Sequence, residues 1–199
     1  MKKLFLLFSS LALAGSLGAT TITYNVTLDT GSLAGVNANV YFNLSAGSLP
    51  AAPVTASVRS FTPAPSGSAV VTGAVSGNLL TNNLDIDNTG SPTNDYYQSV
   101  VLSNLLNFQL TLDVTPTSPA SGSTFGFALF NAAGDTALLS TDSVNGNIAT
   151  WDIAPTGAVT PTLTSSASIS ATTGDSVPEP ATFGLAAATL ISLLLFRRR

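Results

Sequence analysis

Leu106-Asn107-Phe108-Gln109-Leu110-Thr111-Leu112-Asp113-Val114 decides the fold. Apolar side chains fill every second position and polar ones fill the positions between. Successive side chains of a strand point to opposite faces, so this stretch is a strand with one face in a core and the other in water. Working outward, the same period recurs in Thr21–Leu28, where Ile22, Tyr24, Val26 and Leu28 share a face, and in Val36–Leu44. Val54–Phe61, Tyr96–Leu102, Thr124–Phe130, Ala137–Thr141, Ile148–Ile153 and Val159–Leu163 read as further strands, and Ala69–Val75 and Gly77–Leu80 as strand material interrupted by glycine. Asp85–Asp95 reads as a polar turn region and Asn145-Gly146 as a tight turn. No helical period competes between Thr20 and Ser176. Roughly eight to ten short strands at even spacing predict an all-β domain, an antiparallel β-sandwich of jelly-roll type, over residues 20–163. Thr164–Ser176, rich in Ser, Thr, Ala and Gly, reads as a flexible tether.

Composition excludes several chemistries. The chain has no histidine and no cysteine. That removes Ser-His-Asp and Cys-His catalysis, thiolate and histidine metal sites, and disulfides. Between Thr20 and Ser176 there are nine aspartates against Arg59 alone, so a basic nucleic-acid footprint is absent. Only 8% of residues are charged, and with no lysine after Lys3 the sheet edges lack their usual charged protection. Such a surface suits self-association or contact with a polysaccharide matrix.

Three motifs carry candidate chemistry. Leu28-Asp29-Thr30-Gly31-Ser32 matches the local signature of aspartic proteases, but that reaction needs two carboxylates sharing a proton. The candidate partners at Asp135 and Asp142 lack the following glycine, so Asp29 reads as a turn residue. Asp85, Asp87, Thr89, Gly90 and Asp95 offer oxygen ligands at spacings that partly fit a calcium loop, although Tyr96 stands where such a loop carries glutamate. Tyr96, Tyr97 and Trp151 would serve as a stacking platform for sugar rings if they face solvent, and as core if they do not. No catalytic residue is expected. Asn25-Val26-Thr27 and Asn43-Leu44-Ser45 fit the glycosylation sequon by chance within strands.

Both ends are membrane-directed. Lys2 and Lys3 precede an apolar run, Leu4–Ala14, and then small residues. This is the order of a secretory signal peptide over residues 1–19, with cleavage after Ala19 or after Ala14. At the other end Val177-Pro178-Glu179-Pro180 leads into the uncharged run Ala181–Phe196 and then Arg197-Arg198-Arg199. The prolines fix φ and disfavour helix at the residues before them, so the tetrapeptide is expected to be extended and accessible. As a helix, Ala181–Phe196 spans roughly 24 Å at about 1.5 Å per residue, short of the ~30 Å hydrocarbon core unless the bilayer thins or the arginines snorkel. The arginines are expected to stay cytoplasmic.

The tripartite tail resembles the PEP-CTERM sorting signal of Gram-negative bacterial envelope proteins. The resemblance rests on Val177, Pro178, Glu179 and Pro180, the short apolar run and the terminal arginines, in that order. It implies processing at or near the motif by an exosortase, a membrane-embedded cysteine transpeptidase, with Glu179 and its prolines as substrate residues. It further implies export, an intermediate anchored in the inner membrane, and delivery to the envelope or exopolysaccharide-rich biofilm matrix. The domain is also similar to a β-rich group of such proteins, through Tyr24–Thr30 and Phe108–Val114; no activity is assigned to that group. Carbohydrate binding on the same scaffold is the alternative role. Apart from calcium at the loop above, no cofactor is expected.

Overall fold

The structure is a computed structural model that describes residues 19–118, 120–165 and 169–173. The described residues form β1 (Thr20–Asp29), β2 (Asn37–Ala46), β3 (Val54–Thr62), β4 (Pro65–Thr72), β5 (Val75–Asn78), β6 (Asn83–Asp87), β7 (Thr93–Val101), β8 (Leu105–Val114), β9 (Ser123–Asn131), β10 (Asn147–Ile153), β11 (Val159–Leu163) and β12 (Ile169–Thr173). Two 3-10 turns, Gly31–Leu33 and Leu79–Thr81, complete them. The strands make two antiparallel sheets, ordered β12-β1-β8-β3-β6-β5 and β11-β10-β9-β2-β7-β4. The expected sandwich is the observed fold.

Alternation builds the core. Leu106, Phe108, Leu110, Leu112 and Val114 of β8 point inward beside Tyr24, Val26 and Leu28 of β1 and Val54, Ala56 and Val58 of β3. The second sheet answers with Val40, Phe42 and Leu44 of β2, Phe125, Phe127 and Leu129 of β9, and Trp151 of β10. Phe42 is the hub. Its ring lies 5.2 Å from that of Phe108 across the sandwich, and 5.8 and 5.4 Å from those of Phe125 and Phe127 beside it. Such pairs add to the burial of apolar area, which is the main stabilising term.

Several local readings change. Residues 83–87 form β6 rather than a turn: Leu84 and Ile86 are buried while Asp85 and Asp87 face outward, a period-two strand hidden by its aspartates. Asp95 lies within β7. Ala137–Thr141 makes two isolated bridges, Ala137 to Phe130 and Ser140 to Ser165, instead of a strand; Leu139, at φ +59°, leaves the extended region between them. Leu79–Thr81 is a 3-10 turn whose first residue is buried. Residues 169–173, within the expected tether, pair with β1 as β12, Ile169 opposite Leu28 and Thr173 opposite Tyr24.

One end of the sandwich gathers the start of β1 and four connections, residues 47–53, 88–92, 115–122 and 154–158. The backbone N–H of Gly47 donates to the carbonyl of Gly122, that of Ala46 to Pro92, and that of Thr117 to Pro155. Gly157 brings its turn so close that a Cβ there would lie 3.1 Å from the Thr20 hydroxyl. We call this end the amino pole. Asn88, 1% exposed, locks it from inside. Its side-chain carbonyl accepts from the Val54 N–H at 2.8 Å, and its amide donates to the Ala52 carbonyl at 2.8 Å and the Ser123 hydroxyl at 2.7 Å, joining the two sheets. Asn88→Ala would strand a buried donor and a buried acceptor, so we expect it to cost about 2–3 kcal/mol, read as a lower urea midpoint at unchanged slope.

Candidate functional site

The chain reaches its tail along the edge of the first sheet. β12 supplies backbone hydrogen bonds to the otherwise open side of β1, and Thr173 is the last described residue. Val177, Pro178, Glu179 and Pro180, Arg197, Arg198 and Arg199, and the amino-terminal apolar run lie outside the described residues. Among the described residues no helix is long and apolar enough to cross a membrane.

The aspartates expected to share a calcium loop are divided. Asp85 and Asp87 stand on the outer face of β6 in the first sheet, whereas Asp95 stands on the outer face of β7 in the second. Asp85 is held by Arg59 at 2.6 Å and by the Ser57 hydroxyl at 2.6 Å. Asp87 accepts from the Thr55 hydroxyl at 3.1 Å and from the backbone N–H and hydroxyl of Thr89. Asp95 accepts from the Tyr41 hydroxyl at 2.6 Å. The four residues Asp85, Asp87, Thr89 and Asp95 therefore do not converge: Thr89 stays with Asp87 in the bend after β6, while Asp95 belongs to the other sheet. Among the described residues no three acidic side chains gather as a metal site would require.

The aromatic platform is corrected in the same way. Trp151 and Tyr96 are wholly buried. Trp151 packs 5.8 Å from the Tyr24 ring and 5.7 Å from the Phe125 ring. The Tyr96 hydroxyl donates to Gln98 and accepts from the Leu79 N–H at 3.1 Å. Alternation along β7 turns Tyr96 inward and Tyr97 outward. Tyr97, half-buried, lies opposite Tyr41, whose ring meets Phe130 edge-on at 6.0 Å. This second aromatic group, on the outer face of the second sheet, was not foreseen. Its sequence signal was the odd-position set Tyr41, Tyr97 against the even-position core.

Asp29, the protease-like residue, accepts from the Gly31 N–H at 2.9 Å and shapes the turn after β1. Asp135 accepts from Asn131 at 2.7 Å, and Asp142 from the backbone N–H of Val144 at 2.9 Å. Each carboxylate serves its own turn. Surface depressions are present among the described residues. One is lined by Gly47, Gly122, Thr124, Asp152 and Thr160 at the amino pole, another by Thr55, Ser76, Asp85 and Asp87 on the first sheet.

The ionisable groups set a pH window. Burial pushes the Asp85 carboxyl up, but hydrogen bonds from Ser57 and Arg59 and the arginine charge outweigh it and leave the group below its ordinary value of 3.8. Hydrogen bonds from Asn131 and Thr136 lower Asp135, and backbone N–H groups of Asn145 and Val144 lower Asp142. A carboxyl more acidic when folded stabilises above its unfolded value and loses that contribution as pH falls through its folded value. Burial raises Tyr24, Tyr96 and Tyr97 above 10.0, and burial with the Asp95 contact raises Tyr41 further. That contribution is present below the unfolded value and is lost as pH rises through the folded ones. With no histidine or cysteine, no side chain has an ordinary pKa between about 5 and 8. Thermal midpoints measured against pH are therefore expected to form a plateau over that range, falling below about pH 4 and above about pH 10.

Comparison with known proteins decides what the tail is. Residues 176–199 match the family model described as the PEP-CTERM protein-sorting motif. The chain carries a PEP-CTERM sorting motif. No curated protein and no solved structure matches the chain. A PEP-CTERM motif marks an exported protein that is anchored in a membrane and then processed by an exosortase. The matched segment begins three residues beyond Thr173, so the PEP-CTERM tail and the sheet edge are nearly contiguous in sequence.

Proposed function

We propose that this chain is a non-catalytic structural cargo: a β-sandwich exported by its amino-terminal signal, held briefly in the inner membrane by Ala181–Phe196, and released by an exosortase at Val177–Pro180 into the envelope or extracellular matrix of a Gram-negative bacterium. The observation that carries this is the sorting-motif match over residues 176–199. The side-chain inventory supports the non-catalytic part. The sequence has neither histidine nor cysteine, and the carboxylates of Asp29, Asp85, Asp135 and Asp142 are engaged in turns or with Arg59. Moving residues 174–199 onto an unrelated exported reporter tests the reading. The hybrid is expected to be shortened in cells that contain exosortase and to stay full-length in cells without it. A hybrid left intact in both would refute it.

A second role, contact with exopolysaccharide, is favoured at one place only. Tyr97, Tyr41 and Phe130 share the outer face of the second sheet with Asp95, and Val70 beside them on β4 is 65% exposed. Aromatic faces flanked by hydrogen-bonding groups suit sugar rings. Co-sedimentation with the native polysaccharide that survives Tyr97→Ala would exclude this face.

A further inference from the structure

We infer that the amino pole is a membrane-facing surface: while the tail is anchored, this end of the sandwich lies against the bilayer that holds Ala181–Phe196. The inference rests on the reading of the tail as an anchor and adds to it an orientation and a contact surface.

Chain length constrains the geometry. β12 runs antiparallel to β1, so it heads toward the amino pole, and Thr173 stops opposite Tyr24. Tyr24 is four residues up from Thr20, about 13 Å at ~3.3 Å per residue. From Thr173 to Ala181, where the apolar run begins, the chain spans at most ~29 Å at ~3.6 Å per residue, whatever its conformation. Some 13 Å of that is used in descending past β1, which leaves about 16 Å below the pole. The headgroup layer takes roughly 5–7 Å of the remainder. The gap between the pole and the lipid headgroups is therefore no more than about 10 Å, roughly two layers of bound water and side chain. The far end of β1, Asp29, lies about 16 Å from Tyr24 at ~3.3 Å per residue, within the same reach, so it is the direction of the chain that selects the pole: β12 is already heading toward the amino pole where it stops at Thr173.

The surface at that pole fits the placement. Its connections read Gly-Ser-Leu-Pro-Ala-Ala-Pro at 47–53, Asn-Thr-Gly-Ser-Pro at 88–92, Thr-Pro-Thr-Ser-Pro-Ala-Ser-Gly at 115–122 and Ala-Pro-Thr-Gly-Ala at 154–158, with no charge in any of them. Leu49 is exposed there. The carboxylates nearest the pole, Asp87, Asp113 and Asp152, belong to β6, β8 and β10 and are bonded to Thr55 and Thr89, to Thr21 and to Thr124. At the opposite end the connection between β9 and β10 carries the exposed Asp135 and the half-buried Asp142. Keeping charge out of these connections limits the repulsion that carboxylates would meet at an anionic leaflet.

Because the chain has no cysteine, single cysteines report position cleanly. Leu49→Cys and Thr156→Cys place a fluorophore at the amino pole, and Ser32→Cys and Ser103→Cys place one at the far end; all four positions are exposed. The full chain is incorporated in phosphatidylcholine vesicles bearing nitroxide-labelled headgroups. Quenching is expected to be several-fold stronger at positions 49 and 156 than at 32 and 103. A spacer of about 20 Gly and Ser residues between Thr173 and Val177, ~25 Å in mean reach, is expected to abolish the difference while the chain still floats with the vesicles. Equal quenching at both ends of the unspaced chain, with flotation retained, would overturn the orientation alone. Failure to float would overturn the anchor reading and this inference with it.

Discussion

Glu179→Ala is expected to leave the precursor unprocessed while the sandwich folds as before. Glu179 is the sole glutamate of the chain and is bracketed by two prolines that remove backbone donors and restrict φ. A recognition cleft therefore has few features to grip other than that carboxylate. Removing one partner of a desolvated, hydrogen-bonded charge typically costs about 3 kcal/mol, roughly a hundredfold in the processed fraction per unit time. Glu179→Gln keeps the shape and loses the charge, so it should fall nearly as far. The ratio of full-length to shortened chain in exosortase-containing cells measures both. The thermal midpoint of the domain should not move, because residue 179 lies beyond β12, the last strand among the described residues. A substitution that lowered both processing and thermal midpoint would point to a folding role and away from recognition.

Phe42→Ala is expected to produce the largest loss of stability of any single side-chain truncation considered. Phe42 is fully buried, and its ring meets Phe61, Phe108, Phe125 and Phe127 within 6.3 Å. Truncation removes contacts with both sheets and leaves a cavity that rigid strands close poorly, at a cost of about 3–5 kcal/mol. Domain stabilities are about 5–15 kcal/mol, so this consumes a large share. In a domain of this size the thermal midpoint should drop by roughly 8–16 °C. Val70→Ala is the control. That side chain is 65% exposed on the edge strand β4, and its loss should stay within about 0.5 kcal/mol. Calorimetry of the two variants separates the hub from the edge.

The parts of the fold that were legible in sequence were those where burial imposes a period. β8 was readable from Leu106 to Val114 because one face is core and the other water, and β1 and β2 followed from the same rule. β6 was missed because Asp85 and Asp87 resemble turn residues, although Leu84 and Ile86 between them carry the strand period. β12 had no period to read. Beyond Ile169 its residues, Ser170-Ala171-Thr172-Thr173, are small and mostly polar, and the strand pairs along the edge that β1 offers. Such a strand depends on its partner more than on its own preferences.

The candidate site divided along similar lines. The sorting motif is linear, so its three parts were fully legible without a fold. The calcium and sugar readings depended on which face each side chain takes and which sheet each strand joins. Tyr96 and Trp151 share the inward register of Val100 and Ile153, and that register placed them in the core. Asp85 and Asp95, ten positions apart in sequence, fall on different sheets because the chain crosses the sandwich between β6 and β7.

The central claim is that this domain is cargo released at its PEP motif. The intact mass of the protein recovered from its native envelope or matrix tests it most directly. A chain lacking everything beyond a bond at or near Val177–Pro180, with or without an added group, is the predicted result. A chain that still ends at Arg199 would contradict it and would make the tail an ordinary membrane anchor.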